Sequence, residues 1–249
     1  MHLNLQHMKL DILAIAVHPD DVELGCAGTL MVHAAQGMKV GVVDLTRGEL
    51  GTRGTPELRI EEAAAAAKIM GLEVRENLGL ADGFFKNDTL EQMAIITAIR
   101  KYRPDIVLAN AIDDRHPDHG RAAKLIADSC FMAGLRKIET SSDGQPQEAW
   151  RPKQVFHFLQ DRYHEPDFVI DITSVIDRKL EAIKSFSSQF LAPKDNEPQT
   201  YISGSGFFDS VVYRAKMLGK MVGVEYAEGY TSAKMIGVRS FKDMINKTT

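Results

Sequence analysis

Two tetrapeptides carry most of the chemistry legible in the sequence, His18-Pro19-Asp20-Asp21 and His116-Pro117-Asp118-His119. Together they hold three imidazoles and three carboxylates. Imidazole nitrogen and carboxylate oxygen suit zinc, and a catalytic zinc keeps three protein ligands with one position open for water. His18, Asp21 and His119 could supply that set, and iron accepts the same donors. Asp20 and His116 then remain as an acid/base pair, with Asp118 available to fix the tautomer of His116. A bound zinc lowers the pKa of its water to about 7, and a neighbouring carboxylate can collect the proton as that water attacks. The chemistry implied is hydrolysis at a polarised carbonyl. Taken singly, each motif also reads as a turn, because Asp20, Asp21 and Asp118 are good helix N-caps and Pro suits a strand-to-helix corner. Their recurrence at equivalent places favours a site.

Those places follow from the elements around them. Apolar runs of strand length alternate with segments of helical period, which predicts an α/β fold, Rossmann-like, with a mostly parallel sheet and helices on both faces. Strands are expected over 10–17, 39–45, 74–78, 105–111, 155–159 and 168–172. Helices are expected over 22–36, with Gly37 as the stop, and from the Thr55 cap and Pro56 to Gly71. A further helix starts at a capping box of Asp88 and Glu91 and ends at Pro104. Two more run from an Asp118 cap to about Gly134 and over 174–186. The first motif thus ends strand one and the second follows strand four, the carboxyl edge where open α/β sheets bind ligands. Stretches 139–152 and 187–206 resist assignment and are expected to form functional rims or lids.

Composition narrows the partners. Lys plus Arg at 30 against Asp plus Glu at 34 gives a net charge of -4, which offers no footprint for nucleic acid or an anionic membrane and points to a small molecule. Two isolated cysteines, Cys26 and Cys130, exclude a disulfide scaffold or a thiolate zinc site and fit a reducing cytoplasm. The early apolar run 12–17 is far shorter than the roughly 20 residues of a membrane span. At 249 residues a single domain over 1–249 is expected, with 1–8 as an irregular extension and Met8 as a candidate start. Cys26 reads as a small core residue, although its place near a helix start could lower its pKa. His33, His157 and His164 lack partnered spacing and read as structural. Gly48, Gly51 and Gly54 form a Gly-rich loop without the Walker spacing.

The paired motifs resemble the PIG-L/LmbE family of zinc-dependent N-acetylglucosamine deacetylases. Asp44-Leu45-Thr46, Glu57-Leu58-Arg59, Asp113-Asp114-Arg115 and Tyr226-Ala227-Glu228-Gly229 are similar to its bacillithiol-biosynthesis branch, which deacetylates N-acetylglucosaminyl-malate. The likeness runs from about Lys9 to about Thr231. It implies His18, Asp21 and His119 as zinc ligands and Asp20 as general base. It implies that His116 stabilises the oxyanion and protonates the leaving amine, with Asp118 on its other nitrogen. Arg59 and Asp82 match positions that grip sugar hydroxyls, and Arg115 is a candidate for the malate carboxylate. Where some family members place a tyrosine near the metal this chain has Phe207, with Tyr201 close enough in sequence to replace it. The resemblance further implies a homo-oligomer, for which a hexamer is one form. A related deacetylase or thiol-conjugate amidase, and a non-catalytic sugar- or nucleotide-binding module, are the competing expectations.

Overall fold

The computed structural model describes residues 8–191 and 197–244. In chain order these form β1 (Ile12–Ala16), α1 (Asp21–Gly25), α2 (Ala27–Ala35), β2 (Val40–Thr46), α3 (Pro56–Met70), β3 (Val74–Leu80), α4 (Thr89–Tyr102), β4 (Ile106–Ala109) and α5 (Pro117–Ala133). A short hairpin of β5 (Ser141–Ser142) and β6 (Gln145–Pro146) follows, then β7 (Gln154–Phe158), β8 (Phe168–Asp171), α6 (Ile176–Lys184), α7 (Ser187–Phe190), α8 (Ser205–Val222) and β9 (Ala227–Ser232).

Seven strands make one sheet in the order β3-β2-β1-β4-β7-β9-β8. Neighbours from β3 to β7 pair parallel, and β9 runs antiparallel to both β7 and β8. This is the mostly parallel, Rossmann-like α/β sheet that the sequence predicts. β1 is buried on both faces: Ile12, Ala14 and Ala16 pack on one side with α2 and α3, while Leu13, Ile15 and Val17 pack on the other with α4 and α5. That alternation is the period-two consequence of a pleated strand. From β1 the chain proceeds outward to β2 and β3 and then returns to β4 on the other side. The crevice between the carboxyl ends of β1 and β4 is therefore the topological switch point, and one His-Pro-Asp motif leaves each of these strands.

Several local expectations are revised. The helix expected over 22–36 is two helices, broken at Cys26 (φ -145°, ψ 12°). The break has two causes. Gly25 lies so close to the Phe158 ring that a Cβ would meet it at 2.2 Å, and the freed N–H groups of Gly28 and Thr29 donate to the Glu228 carboxylate at 2.9 and 2.7 Å. The N-cap of α5 is His116 rather than Asp118: its Nδ1 accepts from the Asp118 N–H, and Pro117 takes the first helical position. The stretch 139–152 holds the β5–β6 hairpin, and 187–206 holds α7 and the first turn of α8, its residues 192–196 lying outside those described. Neither α8 nor β9 was expected. Of the N-terminal extension expected over 1–8, only Met8 is described. No helix among the described residues is long and apolar enough to cross a membrane.

Candidate active site

At the switch point a cavity of about 470 Å³ opens, within the size range of small-molecule sites. His18, Asp20, Asp21, Arg59, Asp82, Arg115, His116, Asp118 and His119, all the candidates drawn from the sequence, line it. Its floor is an array of oriented histidines and carboxylates. Asp82 Oδ1 lies 3.0 Å from His18 Nε2, and Asp114 Oδ2 lies 2.6 Å from His119 Nδ1. The remaining nitrogens turn toward one carboxylate: His18 Nδ1 is 3.5 Å from Asp21 Oδ2, and His119 Nε2 is 3.1 Å from Asp21 Oδ1. Asp21 is itself fixed, with Gln160 Nε2 donating to Oδ1 at 2.6 Å and Asn110 Nδ2 to Oδ2 at 3.1 Å. Carboxylate and amide partners of this kind set the orientation of metal ligands.

The donor set fits a metal ion. His18, His116 and His119 can each offer a nitrogen such that the three lie within 4.8 Å of one another, and a His18 nitrogen with one carboxylate oxygen each from Asp82 and Asp118 meets the same limit. Electrostatics agree with this crowding. Burial alone would lower the pKa of His18, but Asp21 and Asp82 outweigh it and raise it to about 10. For His119, burial is likewise overcome by Asp21 and Asp114, and its pKa rises to about 9. Burial would raise Asp21, yet His119 and His18 hold it well below the usual carboxylate range. This floor therefore carries a strong demand for positive charge, which protons or a cation can meet.

Asp20 and His116 stand apart from the group converging on Asp21. Asp20 is buried at φ 148°, outside the regions a non-glycine residue ordinarily occupies. Arg59 Nη2 donates to its Oδ2 and to Pro19 O, both at 2.8 Å, which holds the turn. Burial pushes the Asp20 carboxyl up to about 7 against the pull of Arg59, in the range where a general base works. His116 is held below its ordinary pKa by burial and by the charges of His18 and His119. Because its Nδ1 accepts the Asp118 N–H at 3.3 Å, its neutral tautomer carries the proton on Nε2. The Asp118 side chain points elsewhere: Oδ2 accepts from Gly83 N and Oδ1 from Arg121 Nη1, each at 2.9 Å. The partner of His116 is thus the Asp118 backbone rather than its carboxylate, which is held by Gly83 and Arg121 instead.

The cavity wall brings the last candidates into place. Arg59 is buried at the site rather than solvated, and among the described residues its Nε has no hydrogen-bond partner. Asp82 is likewise no simple turn residue, since it receives the Leu50 N–H on the oxygen that His18 leaves free. Arg115 sits at the rim, 44% exposed, its Nε 2.6 Å from Asp161 Oδ2 and its guanidinium 4.3 Å above the Tyr201 ring. Tyr201 packs edge-on against Phe207, and both line the cavity. Asn110, Gln160 and Arg214 were given no role from the sequence, and Asp114 was noted only as part of a motif. Asn110 had a usable signal, lying one residue past the end of β4 at the ligand-binding edge. Cys26 is a buried core residue, and burial raises its thiol pKa.

Comparison with known proteins defines the class. The family model for GlcNAc-PI de-N-acetylase, PIG-L, matches residues 13–130. Diacetylchitobiose deacetylase of Thermococcus kodakarensis is 30% identical over 228 residues, covering 88% of this chain and 81% of its own. A conserved protein of Thermus thermophilus superposes with a TM-score of 0.82 at 35% identity, over 92% of this chain and 98% of its own. Two other relatives are 4-oxalmesaconate hydratase of Pseudomonas putida, 28% identical over 75% of this chain and 76% of its own, and a Bacillus subtilis protein named a probable N-acetyl-alpha-D-glucosaminyl L-malate deacetylase, 27% identical over 73% and 84%. The chain belongs to the PIG-L family of deacetylases.

Proposed function

We propose that the protein is a zinc-dependent hydrolase that removes the acetyl group from N-acetylglucosaminyl-malate, giving glucosaminyl-malate and acetate. The observation that carries this reading is the separation of roles on the cavity floor: His18 Nδ1 and His119 Nε2 both face Asp21, while Asp20 and His116 are held by other partners. His18, Asp21 and His119 would hold the ion, which supplies a Lewis acid for the amide carbonyl and acidifies water; iron would suit the same donors. Asp20 accepts the proton of the attacking water. His116, with Nδ1 occupied, presents Nε2–H to the carbonyl oxygen as charge develops there and then protonates the leaving amine. Asp118 anchors that corner through its backbone and through Gly83. Arg59 and Asp82 are assigned to sugar hydroxyls in addition to their bonds to Asp20 and His18.

The malate conjugate is favoured by the Bacillus subtilis relative and by a guanidinium on the cavity wall, that of Arg214, which suits an acidic aglycone; Arg115, the candidate from the resemblance, is paired with Asp161. On this reading the chain works in the cytoplasm as a single domain in a homo-oligomer, without nucleic acid or membrane. The test is metal-loaded protein given the malate conjugate, diacetylchitobiose and methyl N-acetylglucosaminide, with free amine followed. The highest kcat/KM is expected for the malate conjugate. His119→Ala should lose most of the roughly one metal ion per chain that a three-ligand site implies. Preference for the disaccharide would remove the malate assignment. Absence of amine from every substrate would remove the deacetylase reading and favour chemistry such as that of the hydratase relative.

A further inference from the structure

The inward face of α8 contains an inconsistency. Val211, Ala215 and Leu218 are buried at helical spacing against the sheet, and Arg214 falls within that same stripe where an apolar residue is expected. Its side chain lines the active-site cavity, half-buried. Among the described residues it has no hydrogen bond and no ion pair. The acidic groups in its vicinity are committed to others: Asp161 to Arg115 and Tyr201, Asp114 to His119 and the Arg162 N–H, Glu228 to Lys179 and the start of α2. A guanidinium taken partly out of water without an anion is costly, and burial does lower its pKa. Arg115, by contrast, is already neutralised by Asp161 and stacked on Tyr201 at the exposed rim.

We infer that Arg214, rather than Arg115, is the residue that binds a carboxylate of the substrate's aglycone, and so determines the preference for an acidic glucosaminide. The inference rests on the proposed substrate class, but not on turnover. A free guanidinium inside a cavity matches a carboxylate in two parallel hydrogen bonds, which a lysine ammonium cannot reproduce. The carboxylate also replaces the hydration that the cavity wall takes from Arg214.

Calorimetry with the metal-loaded protein tests this without catalysis. The ligands are glucosaminyl-malate, methyl glucosaminide and acetate, and the proteins are wild type, Arg214→Met, Arg214→Lys and Arg115→Met. Arg214→Met should weaken glucosaminyl-malate by roughly 10- to 100-fold, the range for a hydrogen-bonded charged group, and change methyl glucosaminide less than about twofold. Arg214→Lys should fall between, and Arg115→Met should cost less than about threefold on the same scale. Equal losses on both sugars for Arg214→Met and Arg214→Lys would overturn the inference, as would a loss confined to Arg115→Met. Weakening of acetate alone would assign Arg214 to the released acid instead. Wild type binding both sugars equally would also overturn it, while amine release in the substrate panel would leave the deacetylase reading intact.

Discussion

Asp20 pays for its position in backbone strain. A non-glycine residue at φ 148° persists only where its surroundings over-determine it, and here Arg59 grips both its carboxylate and the Pro19 carbonyl. Asn keeps the shape of Asp and removes its charge, so Asp20→Asn tests the proton-accepting role proposed for it. Metal content by mass spectrometry should stay at the wild-type level while turnover falls by roughly 10²- to 10⁴-fold. Loss of metal would mean that Asp20 and Asp21 have exchanged roles. The residue types of this site were legible because two rare motifs repeat. Their orienting contacts were not, because Asp82, named only for sugar hydroxyls, and Asn110 and Gln160 reach His18 and Asp21 across 64, 89 and 139 positions. Only the Asp114–His119 pair, five positions apart, lay within local reach.

At the scale of elements, local punctuation was readable and remote completion was not. Thr55 accepts the Leu58 N–H at 3.2 Å and Gly71 closes α3 in the left-handed region, as cap chemistry predicts. Asp88 caps α4 through the Leu90 N–H, whereas Glu91 accepts the Lys86 N–H instead of completing the box. The division between α1 and α2 has no local signal because its cap, Glu228, stands on β9. That carboxylate also meets Lys179 Nζ at 2.5 Å and the Thr29 hydroxyl at 2.7 Å, and both ionic partners are buried. Glu228→Ala strands a buried ammonium and uncaps a helix, so a loss of about 3–5 kcal/mol is expected in urea unfolding. Adding Lys179→Met should return part of it, since an unpaired charge then disappears. Additive losses in the double variant would show that the pair is not coupled. β9 itself escaped notice because Ala227-Glu228-Gly229 lacks the β-branched residues of an ordinary strand.

The molecule as a whole leaves apolar surface uncovered. Tyr213, Met217 and Met221 follow one another at four-residue spacing along α8 and are 67%, 42% and 59% exposed. For the homo-oligomer proposed above, this stripe is the expected contact between copies. Light scattering should give a multiple of 27.6 kDa, and Met217→Glu with Met221→Glu should lower it without loss of helical signal. A monomer at every concentration would refute it. The order of the sheet has another consequence, for the moment of birth. Among the described residues β8 pairs only with β9, and β9 inserts between β7 and β8 although it is the last of their strands to be made. During synthesis the first helices must wait for a carboxylate 200 positions downstream of Gly28 to cap α2. A chain cut short before Ala227 would hold every residue of the cavity floor and still lack the strand that joins β8 to the sheet.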